Sequence, residues 1–151
     1  MKIYCLSKSQ IVKRPLQEVF DFFKRPENLA KITPKSLGFK ILTPLPLKMR
    51  EGMIIDYTVK PVLIRIHWRT LITAYEPPYK FIDEQMKGPY IFWHHTHTFE
   101  EVDEGTKIKD EVRYVIPFGW LGQMVHALLI KRQLESIFDF RTKVIDKYFT
   151  S

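Results

Sequence analysis

The last quarter of the chain places the strongest limit on its fold. Residues 121–149 read as one unbroken helix of roughly 28 residues, which would span about 40 Å. Along it Val125, Leu128, Leu134, Ile137, Phe138, Val144, Ile145 and Tyr148 form an apolar stripe. A single helix cannot cover such a stripe. The chain before it must supply a surface long enough to pack along its whole length.

That surface reads as a sheet. Residues 2–12 have the pattern of a strand. Pro15 then opens an amphipathic helix, PLQEVFDFFKR, with Leu16, Val19, Phe20 and Phe23 at helical spacing. Pro26 ends it and begins a second short helix, PENLAKI, which stops before Pro34. Strands follow at about 36–43 and 52–60, separated by the proline-rich TPLPLKMREG. From residue 62 onward four more strands come in quick succession. Lys60-Pro61, Pro77-Pro78, Gly88-Pro89 and Asp103-Glu104-Gly105 punctuate them. The order is strand, two short helices, six strands, long helix. It predicts an α+β fold, with helices on one face of an antiparallel sheet of about seven strands. The 151 residues suit one domain, 1–151.

Strands alternate faces, so each can be read for what it points at the helix. In 107–116 the charged set Lys107, Lys109, Glu111 and Arg113 belongs in water, leaving Ile108, Asp110, Val112, Tyr114 and Ile116 inside. In 91–100 the inward set is Ile91, Trp93, His95, His97 and Phe99, with His94 outside. Phe81, Asp83 and Gln85 point in from 79–86, and Ile64, Ile66, Trp68, Thr70 and Ile72 from the strand before, with His67 outside.

The turns test this parity. A two-residue turn at Asp103-Glu104 sets His97 opposite Asp110 and Trp93 opposite Tyr114, unless a bulge at Gly105 shifts the register. Turning at Pro89 sets Asp83 opposite His95, and turning at Pro77-Pro78 sets Thr70 opposite Gln85. Every pair joins inward to inward. Opposed side chains lie about 4.5–5.5 Å apart at Cβ, so Asp83–His95 and His97–Asp110 are expected hydrogen bonds. Buried and unpaired, each group would cost roughly 1–3 kcal/mol. A polar island inside an aromatic wall therefore predicts a wet or ligand-filled cavity.

Several function classes recede. No apolar run approaches the roughly 20 residues that cross a bilayer, and the N-terminus lacks the pattern of a signal peptide. Cys5 is the only cysteine, so no internal disulfide forms and a cytoplasmic location is expected. Cys5 itself reads as a small buried filler in the first strand. The net charge of +7 is uneven: residues 1–50 carry +8 and the remainder −1. Those cations are scattered among apolar residues and prolines, without a recognition helix or zinc-finger spacing, so no nucleic acid is expected as a partner. At most, the basic N-terminal third makes a peripheral contact with an anionic surface.

The segment FIDEQMKGPYIFWHHTHTFEE, followed by TKIKDEVRYVIPFG and then FDFR, resembles the ligand-binding SRPBCC proteins. These form the START-like, polyketide cyclase/dehydrase superfamily, which includes the major birch pollen allergen. The most specific part is Phe81-x-Asp83-x-Gln85, Gly88-Pro89 and Trp93-x-His95-x-His97-x-Phe99, with Asp110, Tyr114, Pro117 and Phe138-x-x-Arg141 after it. The resemblance implies a helix-grip fold, a curved sheet wrapped around the terminal helix with a cavity between them. It does not choose among lipid carriers, hormone receptors and cyclases.

Three readings of the island follow. In the first, Trp68, Trp93, Phe99 and Tyr114 wall a pocket for a lipid, isoprenoid or polyketide-like molecule, and Asp83, Gln85, His95, His97, Asp110 and Arg141 orient its polar end. In the second, His95, His97, Asp83 and Asp110 supply an acid/base pair to a cyclase, dehydratase or hydrolase; no positioned nucleophile accompanies them. In the third, the polar groups satisfy one another and only stabilise the junction of sheet and helix. His95-x-His97 has a spacing that can chelate, but hydrogen-bonded core histidines are commoner than ligands. No metal and no cofactor is expected.

Overall fold

In a computed structural model, which describes residues 1–61 and 63–150, the long helix is gripped by a seven-stranded antiparallel sheet. The strands are β1 (Tyr4–Val12), β2 (Lys40–Ile41), β3 (Ile54–Val59), β4 (Ile66–Glu76), β5 (Lys80–Lys87), β6 (Phe92–Val102) and β7 (Gly105–Val115). Their spatial order is β1-β7-β6-β5-β4-β3-β2. Helix α1 (Leu16–Phe23) and 3-10 turns at Pro26–Ile32 and Lys35–Leu37 lie between β1 and β2. The fold is the expected α+β helix-grip architecture. No helix among the described residues is long and apolar enough to cross a membrane.

The register agrees with the turn argument where it matters most. His97 faces Asp110, Trp93 faces Tyr114 and Asp83 faces His95. Gly105 pairs with Val102 without a slip; its φ of 140° lets the chain close a two-residue turn. Thr70 does face Gln85, but by a different route. Glu76 pairs with Lys80 around a longer turn, and an irregularity between Ile72 and Ala74 restores the pairing.

Several expectations need correcting. The strand expected at 36–43 shrinks to Lys40–Ile41 behind the Lys35–Leu37 turn, where Gly38 takes a left-handed conformation. Ile64 and Ile91 precede their strands, so alternation does not apply to them, and both are exposed. The strand start expected at residue 62 lies outside the described residues. Cys5 is exposed, not buried, because Tyr4 and Leu6 take the inner face of β1.

The terminal helix is longer than expected and has two faces. It runs as α2 (Gly119–Val125), a π-helical turn at His126–Ile130, and α3 (Lys131–Thr150). The buried positions are Gly122, His126, Leu134, Phe138, Arg141, Ile145 and Phe149, with Ile130 partly covered. Steps of four residues overshoot an ideal α-helical turn by about 40° each. The wider π turn absorbs part of that drift and keeps one seam on the sheet. Val125, Leu128 and Tyr148, expected in the stripe, are exposed. The apolar residues of 121–129 therefore follow a second, outward face.

Helix α1 closes the far end of the core. Phe20 is fully buried and meets Phe81 and Phe99 edge-on. Val19 and Phe23 are buried as their spacing predicts, and Phe22 joins them.

Gly105 offers a direct test of the β6–β7 turn. A Cβ there would run into the Val12 carbonyl oxygen and the backbone of Lys13 and Arg14, whereas one at Gly52 (φ 84°) would meet nothing within 4 Å. Gly105→Ala should therefore lower unfolding free energy by about 1–3 kcal/mol. Gly52→Ala should lower it less, because only backbone strain is added. Urea denaturation of both variants measures the difference.

Candidate functional site

Between the concave face of the sheet and α3 lies a cavity of about 180 Å³. One water requires roughly 10–15 Å³ on the same measure, so the space is of ligand size. The strands contribute Tyr57, Trp68, Thr70, Asp83, Trp93, His95 and His97, and the helix contributes Leu134, Phe138 and Arg141. Met49, from the 44–51 loop, closes part of the wall together with Phe22, Phe23 and Leu29. Most of this wall is apolar.

Its polar part is one compact cluster. His95 and His97 stand two residues apart on β6, so alternation points both inward, and their rings stack with centroids 3.7 Å apart. Their short hydrogen bonds cross the register diagonally. His95 donates Nε2–H to Asp110 Oδ1 at 2.7 Å, and His97 donates Nε2–H to Asp83 Oδ2 at 2.6 Å. The directly opposed contacts, expected to be the hydrogen bonds, are longer: 3.7 Å for His95 Nδ1 to Asp83 and 3.4 Å for His97 Nδ1 to Asp110. The imidazoles lean along the strand, so each Nε2 reaches past its opposite residue. Arg141 extends from α3, with Nη1 3.6 Å from Asp110 Oδ1 and the guanidinium 4.7 Å from the centre of the Phe138 ring.

The protonation states follow from this geometry. His97 presents both nitrogens to carboxylates, and burial, which opposes its charge, is outweighed by hydrogen bonds to Asp110 and Asp83 that raise its pKa above the ordinary 6.5. His95 goes the other way. Burial lowers its pKa, and the charge on His97 adds to that against the pull of the carboxylates. Asp110 is held well below the usual carboxylate range: its burial would raise it, but hydrogen bonds from both imidazoles and the Arg141 charge prevail. Asp83 is lowered too, with the histidines and Arg141 overcoming burial. The shifts favour imidazolium His97 beside neutral His95, a form in which two carboxylates stand against Arg141 and His97 with no net charge. A buried group of ions needs such a balance to survive outside water.

Two donors in the cavity wall have no partner in the protein. Among the described residues, the indole Nε1 of Trp68 and the Nε of Arg141 are buried without a hydrogen bond. Both side chains belong to residues more than nine-tenths buried, at 8% and 7% exposure. An unpaired buried donor costs roughly 1–3 kcal/mol, a cost that an acceptor in the cavity would remove.

The structure sorts the expected site residues into two groups. Trp68, Asp83, Trp93, His95, His97 and Arg141 line the cavity. Asp110 stands behind the imidazoles and holds His95 and Arg141. Phe99 packs against Phe20, Phe23 and Phe81 beyond the cavity. Gln85, expected to face the ligand, instead uses both ends of its amide on the backbone of Tyr90, 2.7 and 3.1 Å away, and so fixes the β5–β6 turn. The Tyr114 hydroxyl shares a 2.6 Å hydrogen bond with His126 Nε2. Burial pushes the Tyr114 phenol up to about 12 and, with the charges of Lys131 and Lys2, lowers the His126 pKa. His126 also stacks on Tyr4. His67, on the outer face, binds Asp56 at 2.7 Å.

Sequence reasoning missed Tyr57, Leu134 and Phe138 as cavity residues. Alternation from Ile55 would have found Tyr57, whose hydroxyl lies 3.3 Å from Thr70 Oγ1. The ligand atoms of Asp83, His95 and His97 lie within 4.8 Å of one another, a spacing that can hold a metal. An ion there would have to displace the proton of His97 and tolerate the Arg141 charge beside it.

These features define a class: helix-grip proteins with a largely apolar cavity between a curved sheet and a long C-terminal helix. Residues 12–138 match the family described as polyketide cyclase / dehydrase and lipid transport, and the chain belongs to that family. Solved structures share the fold at low identity. Protein Ms6760 from Mycobacterium smegmatis is 18% identical with a TM-score of 0.68, over 97% of this chain and 90% of its own. Ginseng major latex-like protein 151 from Panax ginseng is 10% identical with a TM-score of 0.70, over 97% of each chain. The di-domain ARO/CYC StfQ from the steffimycin biosynthetic pathway is 11% identical with a TM-score of 0.73; the match covers 98% of this chain and 51% of StfQ. No curated protein matches the chain.

The opposite shifts of the two histidines predict a peak in stability against pH. His97, with a raised pKa, contributes stability that is complete below pH 6.5 and is lost as pH rises through its folded value. His95, with a lowered pKa, contributes stability present above pH 6.5 and lost as pH falls, and His126 acts in the same direction. Unfolding free energy from urea melts should therefore be greatest near pH 6.5. His97→Gln should remove the alkaline decline and keep the acid one; an unchanged profile would contradict the assignment.

Proposed function

We propose that the protein binds a small, mostly hydrophobic molecule carrying at least one hydrogen-bond-accepting oxygen, such as a lipid, isoprenoid or polyketide. The observation that carries this reading is the pair of orphan donors, Trp68 Nε1 and Arg141 Nε, in an otherwise apolar cavity wall. A carbonyl or carboxylate oxygen of the ligand would satisfy the guanidinium, and the apolar remainder would lie against Trp93, Leu134 and Phe138. His97 and Asp83 border the same space and would orient any further polar group. In this reading Asp110 acts behind the wall, by holding His95 and Arg141 in place. Gln85, Phe99 and Tyr114 support the wall without touching the ligand.

A second reading has one observation in its favour: two imidazoles stacked 3.7 Å apart, with the pKa of His97 raised and that of His95 lowered. Such a pair can give and take a proton within one cavity, as a cyclase, dehydratase or hydrolase requires. His95→Ala and His97→Ala would each abolish turnover in an enzyme, whereas in a carrier they would only weaken or re-orient binding.

Native mass spectrometry of protein purified from its own host, without refolding, should reveal a retained apolar mass. Loss of one charge-assisted hydrogen bond should weaken binding of an oxygen-bearing ligand about tenfold or more in Arg141→Met. Trp68→Phe should do the same to a smaller extent. Displacement of a fluorescent fatty acid measures both. The reading fails if neither variant changes affinity for a carboxylate while an alkane-like probe binds all three proteins equally.

A further inference from the structure

The exposed large apolar residues are not spread evenly. The sheet register brings four segments to one end of the molecule, the end where the terminal helix begins. Tyr4 pairs with Tyr114 and Tyr114 with Trp93, so residues 1–3 lie near the end of β7 and the start of β6. The Ile91 N–H donates to the Val115 carbonyl at 2.9 Å. Gln133 donates Nε2–H to the Pro61 carbonyl at 3.1 Å, which ties the β3–β4 loop to the helix. At this end Leu63, Ile64, Phe118 and Trp120 are at least 73% exposed, and Leu128 and Leu129 are 67% exposed.

The helix here has a designed look on its outer side. Leu121, Met124, Val125, Leu128 and Leu129 are all exposed and recur at intervals of three and four residues. They form the outward face already noted, opposite the seam that Gly122, His126 and Ile130 turn toward the sheet. A soluble surface helix would place polar residues there.

Charge completes the pattern. Residues 1–3, 60–65, 86–92 and 117–132 contain Lys2, Lys60, Arg65, Lys87, Lys131 and Arg132, and no Asp or Glu. Lys2 and Lys131 are close enough to act together on His126. Glu135 is the acid beside them, acting on Tyr114. Apolar side chains with an exposed Trp and Phe, flanked by an excess of cations, suit the boundary of an anionic bilayer. A second copy of the chain fits poorly, because a two-fold contact through this end would set an excess of like charges against each other.

We propose that this end of the molecule docks on the surface of an anionic phospholipid bilayer, with Phe118, Trp120 and the 121–129 face entering the headgroup layer. Of the basic N-terminal third, only Lys2 takes part. Pro61 and Pro89, in two of the docking loops, also border the cavity, so docking would set the ligand space beside the membrane. That last consequence rests on the carrier reading; the docking itself does not.

Co-sedimentation of the full chain with vesicles tests it. The protein should pellet with phosphatidylglycerol/phosphatidylcholine vesicles and stay in solution with phosphatidylcholine alone. Trp68 and Trp93 are buried, so a blue shift of emission on docking would report Trp120. Lys131→Gln with Arg132→Gln should weaken binding to the anionic vesicles about tenfold or more. Leu128→Ser with Leu129→Ser should abolish it, with thermal melting and fatty-acid probe binding unchanged. Failure to pellet with anionic vesicles, equal pelleting of the parent and both variants, or a dimer in sedimentation velocity that Leu128→Ser with Leu129→Ser dissolves would each overturn the proposal. Vesicle binding without any probe binding would uphold the docking and remove the carrier reading instead.

Discussion

A guanidinium lies in the middle of the seam that the terminal helix buries, and much of the molecule is arranged around that fact. Arg141 sits between Phe138 and Ile145, both buried. Its charge cannot stay out of water without a counter-charge close by. The sheet provides one in Asp110, at a position on β7 where packing alone would favour a branched aliphatic residue. This favours one register of helix and sheet, because sliding α3 by one turn would take the guanidinium away from its counter-charge.

Asp110 in turn makes the histidine pair possible. Two carboxylates on β5 and β7, the strands that flank β6, would repel each other in a buried site, and Arg141 balances only one of them. A proton on His97, whose pKa is raised, balances the second. The pKa of His95 is lowered, since another positive charge 3.7 Å away, measured between ring centres, would upset that balance. The four groups and Arg141 form one unit, in which each protonation state depends on the others. That unit rests on the rigid β5–β6–β7 ladder, and this places a stable polar patch on the wall of an apolar cavity.

The same helix serves two environments along its length. From Leu134 to Phe149 one face is covered by the sheet and α1, and the rest faces solvent. From Gly119 to Ile130 the sheet covers only the seam of Gly122, His126 and Ile130, the π turn adjusts its phase, and apolar residues occupy the open side. Ordinary packing explains the first part. The second has no burial within the chain, which is why its apolar pattern points to something outside.

The sequence of elements along the chain, the turns at Pro89 and Asp103-Glu104 and the inward parity of β6 and β7 were legible in the sequence, because alternation and turn chemistry are local and the two-residue turn at Asp103-Glu104 transmits register over the whole hairpin. The meeting of Asp83, His95, His97 and Asp110 followed from that arithmetic. Which nitrogen reaches which oxygen did not, since a ring's lean along its strand depends on the neighbours it packs against. Gln85 had the right parity and yet turns to the Tyr90 backbone, a choice made by a turn whose shape no residue spacing encodes. The helix stripe was read as one face because periodicity records only that apolar residues recur. Which recurrence is buried depends on how far the sheet extends beside the helix, and only the folded arrangement decides that.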